Sequence, residues 1–131
     1  MKRPLLPAGW PKPRGYANGI AAHGTQIYIA GQIGWDETGH FRSEAFADQA
    51  RQALANIVAI LKEAGAGPEH LVRMTWYVTD KREYLAASRE IGQAFRELIG
   101  DYDIAMSAVQ VVALIEDQAK VEIEATAVIP D

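Results

Sequence analysis

The chain has 131 residues, 49% of them hydrophobic and 23% charged, with a formal net charge of −4. That length suffices for one domain with its own apolar core, and the charge has the wrong sign for a surface that binds nucleic acid. The absence of cysteine excludes disulfides, thiolate nucleophiles and cysteine–zinc sites. Residues 1–15 carry Pro4, Pro7, Pro11 and Pro13 and read as an extended N-terminal segment, with Trp10 anchoring it and Lys2, Arg3, Lys12 and Arg14 in solvent. Gly19–His23 and Gln26–Ile33 flank the turn-like His23-Gly24-Thr25 and read as a hairpin. Asp36-Glu37-Thr38-Gly39 is a turn. From about Ala45 to Ala64, Phe46, Ala50, Leu54, Ile57 and Leu61 fall on one helical stripe. Gly65-Ala66-Gly67-Pro68 stops that helix.

Leu71–Thr79 is a strand with Leu71, Arg73, Thr75 and Tyr77 on one side and Val72, Met74, Trp76 and Val78 on the other. A second helix, about Arg82 to Ile99, turns Tyr84, Ile91, Phe95 and Leu98 inward, with Asp80 as its N-cap. A strand pair closes the chain, Ala105–Leu114 and Lys120–Val128. In the last strand Val121, Ile123, Ala125 and Ala127 alternate with Glu122, Glu124 and Thr126, so two carboxylates share one face, roughly 6–7 Å apart. The order β-β-α-β-α-β-β, with no internal linker, gives a single α/β domain over 1–131. It is a two-layer sandwich of two helices on one face of a mixed sheet. Two helices cover one face only. With Met74, Trp76, Ile104, Met106, Ala108, Val109, Val111 and Val112 all apolar, part of that surface is expected to be an interface between copies of the chain.

His23, His40 and His70 lack metal-ligand spacing, so neither a metal nor a cofactor is expected. No apolar run approaches the roughly 20 residues of a membrane span, and prolines replace a signal-peptide core after Lys2-Arg3. The expected location is the cytoplasm, with no membrane or nucleic-acid partner.

Several segments together make the chain resemble the RidA/YjgF family, also labelled endoribonuclease L-PSP. They are Gly15-Tyr16-Ala17-Asn18-Gly19, Ala30-Gly31-Gln32-Ile33, Gln49 through Ile57, Tyr77-Val78-Thr79-Asp80 and Val121-Glu122-Ile123-Glu124-Ala125. The resemblance runs from about Gly15 to Val128. It implies a chorismate-mutase-like fold and a homotrimer with small-molecule clefts between subunits. It also implies an activity, hydrolysis of 2-imino or 2-enamino acids to 2-oxo acids and ammonia. In such deaminases an arginine, in a segment like Pro-Ala-Arg-Ser/Thr, clamps the substrate carboxylate. Here the segment reads Ile104-Ala105-Met106-Ser107-Ala108, and a thioether makes no bidentate contact with a carboxylate.

Imine hydrolysis needs a positioned water, a group to shuttle its proton and a dry pocket. Glu122 matches the family's water-positioning glutamate and suits proton shuttling near neutral pH; otherwise it is a rim carboxylate paired with a cation. Tyr16 matches the pocket tyrosine, against ordinary core packing. Gly31 permits close backbone approach to a ligand, or marks a bulge. At Ser107 the backbone helps hold ligand or water, while no histidine stands ready to activate its hydroxyl. Met106, Trp35 and Trp76 are candidates for an apolar wall, and Arg14 or Arg73 for a replacement cation. The expected function is therefore a RidA-like imine or enamine deaminase whose substrate class is altered by Met106. The alternative is a non-catalytic metabolite-binding or regulatory trimer. A ribonuclease is disfavoured by the acidic balance.

Overall fold

The computed structural model describes residues 2–131. Among these, four strands form the main sheet and two short ones a separate ribbon. The ribbon pairs β1 (Lys2–Pro4) antiparallel with β2 (Ile20–Ala22). Next come β3 (Thr25–Ile33) and helix α1 (Phe46–Glu63), then β4 (Leu71–Val78), α2 (Lys81–Ala86) and α3 (Ser88–Leu98), and finally β5 (Ala105–Gln110) and β6 (Val121–Ile129). The main sheet runs β3-β6-β4-β5, antiparallel except for the parallel β4–β5 pair. It is mixed, with the helices packed on it.

α1 forms where the apolar stripe falls: Phe46, Ala50, Leu54, Ile57 and Leu61 are all buried. Its N-terminus is held by Ser43, whose Oγ accepts from the Ala45 N–H and donates to Asp48 Oδ2. At the other end the Ala66 N–H returns to the Leu61 carbonyl and Gly65 adopts φ +71°, a left-handed stop that suits glycine. Full burial of Leu54, Ile57 and Leu61 against β3 and β6 stabilises the fold by roughly 1.5–3 kcal/mol per side chain. Asp80 does cap α2, its Oδ1 accepting from the Arg82 and Glu83 N–H groups.

Four expectations need correction. β2 and β3 do not form a hairpin: β2 pairs with β1 and β3 with β6. At Gly24 (φ +145°) a Cβ would overlap the Ile129 carbonyl, so the backbone there passes hard against the end of β6. Nor do β5 and β6 pair, because β4 lies between them. The second helix is two, broken at Ala87, where the Ser88 hydroxyl donates back to the Leu85 carbonyl. The N-terminal segment is not a solvated arm at its start. The Lys2 ammonium donates to the Leu71 and Asp103 carbonyls at 2.8 and 2.7 Å, whereas Trp10, the expected anchor, is exposed.

The sides expected for β4 hold from Arg73 onward. In register, Arg73, Thr75 and Tyr77 lie beside Ala105, Ser107 and Val109 of β5 and beside Thr126, Glu124 and Glu122 of β6. These residues make the open face. Met74, Trp76 and Val78 turn to the helices with Met106 and Ala108. Leu71 joins the core because the β4–β6 register shifts between Leu71 and Arg73. The open face is thus less apolar than expected. β5 ends at Gln110, which leaves Val111 and Val112 in the following loop, where Val112 is fully exposed.

Candidate active site

The candidate residues gather in two places, on opposite sides of the sheet. On the open face, Glu122 lies between Ile33 of β3 and Tyr77 of β4 and is half-buried. Beside it β3 bulges: Ile29 faces Ala125 and Gln32 faces Ile123, so Ala30 and Gly31 together oppose a single residue, Glu124. A Cβ on Gly31 would overlap the Glu122 carboxylate. The bulge and the close approach are therefore one feature, and the group that approaches is Glu122 itself. Among the described residues no arginine or lysine pairs with Glu122.

Glu124 has a different task. Its Oε1 accepts the Tyr77 hydroxyl at 2.6 Å, and that hydrogen bond, with burial and the two nearby carboxylates, raises the Tyr77 phenol above its ordinary pKa. Tyr77 is thereby held as a neutral donor between the carboxylates. Arg73 shares a shallow hollow with Tyr28, Thr75 and Glu124 on this face.

On the other side, a cavity of about 930 Å³ opens between α2–α3 and the β5 edge. Tyr16, Met106 and Arg14 line it, and Ser107, whose side chain belongs to the open face, borders it at the edge strand β5. The Gly15–Ala17 segment is placed there by the Ala17 N–H, which donates to the Ile104 carbonyl at 2.9 Å, and by the Ala17–Ala105 bridge. Trp76 also lines this cavity. Trp35 does not: it stacks obliquely on Phe41 at 6.0 Å, across the turn set by Asp36. Within one chain β4 and the thickness of the sheet separate Glu122 from Met106.

Two residues important to this arrangement escaped the sequence reading. Gln49, buried in α1, donates through Nε2 to the Ser43 and Gln118 carbonyls, while its Oε1 accepts the Lys120 N–H at 2.9 Å. It ties down the entry to β6 two residues before Glu122. The available signal was an amide on the buried side of an otherwise apolar stripe. Buried Asp36 accepts from the Thr38 hydroxyl at 2.6 Å, from the Thr38 and His40 N–H groups and from Arg42 Nε. These donors hold its carboxyl well below the usual carboxylate range.

The family model described as endoribonuclease L-PSP matches residues 11–129. The chain belongs to the RidA/YjgF family. A RutC family protein of Pyrococcus horikoshii is 36% identical over 129 residues, covering 97% of this chain and 98% of its own. The human 2-iminobutanoate/2-iminopropanoate deaminase is 34% identical over 103 residues, covering 78% and 72%. Among solved structures, a Rid-family protein of unknown function from Yersinia pestis superposes with a TM-score of 0.86 at 29% identity, over 98% of both chains. This RidA/YjgF chain therefore has the sheet-and-helix architecture of its relatives. No helix among the described residues is long and apolar enough to cross a membrane.

Proposed function

We propose that the protein hydrolyses a reactive imine or enamine to a carbonyl compound and ammonia, with Glu122 moving the protons. The observation that carries this reading is Glu122 itself, half-buried, free of a cationic partner among the described residues and seated over Gly31. The name of the human relative, a deaminase of 2-imino acids, supports the reaction class.

In the proposed reaction, water adds through oxygen to the C=N carbon as Glu122 takes one of its protons and passes it to the imine nitrogen. The carbinolamine then collapses: Glu122 takes its hydroxyl proton as the C–O bond becomes C=O, returns that proton to nitrogen as the C–N bond breaks, and ammonia leaves. Such proton transfer typically contributes about 100- to 10,000-fold. An enamine enters the same path after protonation at carbon.

Since Glu122 and the Met106 cavity face opposite ways in one chain, the complete site takes two copies. One supplies Tyr16, Met106, Ser107 and Arg14, and its neighbour supplies Gly31 and Glu122, in a homotrimer. With Met106 in place of a guanidinium, a 2-imino carboxylate loses its expected clamp, and the reading extends to a substrate of altered class. The second reading, a metabolite-binding trimer without turnover, draws support from that same missing charge.

Ammonia release from freshly generated imines and enamines, with and without an α-carboxylate, tests the proposal. Wild type is expected to turn over at least one class, and Glu122→Gln to lose about 100-fold or more. Activity undiminished in Glu122→Gln removes the assignment.

A further inference from the structure

The last strand turns two carboxylates to the open face, and the proposed reaction uses only Glu122. Glu124 is engaged elsewhere, its Oε1 accepting the Tyr77 hydroxyl at 2.6 Å. These two are not register partners: Tyr77 stands opposite Glu122, and Thr75 opposite Glu124. The phenol therefore runs diagonally over the face, from beside Glu122 to the carboxylate two residues further along β6. Diagonal neighbours of this kind lie about 7–8 Å apart, within reach of an aromatic side chain.

That bond settles what the phenol oxygen can still do. A tyrosine hydroxyl has one hydrogen, and with it given to Glu124 the oxygen is left only to accept. The hydrogen bond, with burial and the charges of Glu124 and Glu122, keeps the phenol protonated by raising its pKa. An ionised Glu122 is also an acceptor only. Among the described residues no arginine or lysine pairs with either glutamate, although Arg73 shares the hollow beside Glu124.

A water held between two acceptors gives each of them one hydrogen. The hydrogen on Glu122 is the one removed in the reaction, and the other rests on Tyr77 Oη. Both lone pairs of the water are then free for the C=N carbon. A phenol with its own hydrogen free would instead donate to the water and occupy a lone pair. Without the phenol oxygen, the water would hang from Glu122 by one bond and turn about it.

We propose that Tyr77, its hydrogen held by Glu124, is a positioning residue that orients the attacking water for Glu122. This role rests on the hydrolase reading, since the water is that reaction's nucleophile.

The test combines kinetics of ammonia release with neutron diffraction from crystals of the protein exchanged into heavy water. Tyr77→Phe and Glu124→Ala are each expected to lower kcat by about tenfold or more with little change in KM. The double variant is expected to be no slower than either single one. Glu124→Gln, whose amide oxygen still accepts the phenol hydrogen, is expected to keep most of the wild-type kcat. A pair that only braced the sheet would lower the unfolding temperature and leave kcat of the folded enzyme unchanged. The neutron map is expected to show the Tyr77 deuterium toward Glu124 and one water donating to both Tyr77 Oη and Glu122. A phenol that donates to Glu122, no shared water, full kcat in Tyr77→Phe, or equal losses in Glu124→Gln and Glu124→Ala overturns the proposal. Turnover abolished in Glu122→Gln but intact in Tyr77→Phe would sink this inference and keep the hydrolase. If no imine is turned over, the hydrolase reading falls, and the neutron map alone decides whether the pair orders a water.

Discussion

The carboxylate of Glu122 occupies the space that a side chain on Gly31 would fill. The bulge in β3 thus fixes where this carboxylate, the proposed proton shuttle, can rest, and a methyl at 31 must push it aside. Gly31→Ala is expected to keep its secondary structure by circular dichroism and to lose about 100-fold in ammonia release, because misplacing a reacting group by about an ångström costs that much. Near-wild-type turnover in Gly31→Ala would mean that the carboxylate works from another position.

Gln49 joins two loops through three hydrogen bonds, to Ser43, Gln118 and Lys120. Gln49→Ala strips those partly buried backbone groups of their partner and opens a gap in α1. Stability measured by urea unfolding is expected to fall by about 2–4 kcal/mol, at roughly 1–3 kcal/mol per unmet group with part of the cost relieved by water. A loss within about 0.5 kcal/mol, the range of an ordinary surface substitution, would show that the loops hold their places without the amide.

The Tyr77–Glu124 hydrogen bond needs a protonated phenol, and its formation raises the Tyr77 pKa in the folded state. A group whose folded pKa is raised contributes stability below its unfolded value, about 10 for tyrosine, and loses it as pH rises through the folded value. Wild-type unfolding temperature is therefore expected to fall more steeply above about pH 10 than that of Tyr77→Phe. Parallel curves for the two proteins would contradict the assignment.

Asp36 behaves in the opposite sense. Donors from Thr38, Arg42 and His40 lower its pKa in the folded state, so its contribution is present above the unfolded value, about 3.9, and is lost as pH falls. Acid titration of Asp36→Asn, followed by Trp35 and Phe41 packing in the near-ultraviolet, is expected to give a shallower acid limb than wild type and lower stability at neutral pH. A limb as steep as wild type would shift the effect to another carboxylate.

Much of the fold is legible in the sequence because burial follows periodicity. The stripe from Phe46 to Leu61 and the alternation from Val121 to Ala127 both lie where those patterns put them. Periodicity reports which face a residue takes and is silent on which strand lies beside it. That is why β5 and β6 read as neighbours although β4 separates them, and why Gly24 read as a hairpin turn when its backbone in fact abuts Ile129. The same holds for the site. Tyr16, Met106 and Arg14 meet in one cavity bordered by Ser107, but Glu122 faces away from it, a relation visible only once β4 and β6 are in register.

β4 serves both sides of the sheet at once. Tyr77 backs the carboxylates of β6 on one face, while Trp76, the next residue along, fronts the cavity on the other. Slipping this strand by one residue would exchange the two sets, turning Trp76 toward the glutamates and Tyr77 into the core. Eight residues are thus a single point of failure, where an error of alignment would disable both halves of the proposed site in the same event. The offset between Leu71 and Arg73, where the β4–β6 register shifts, is, in that light, as necessary to the proposed chemistry as any side chain.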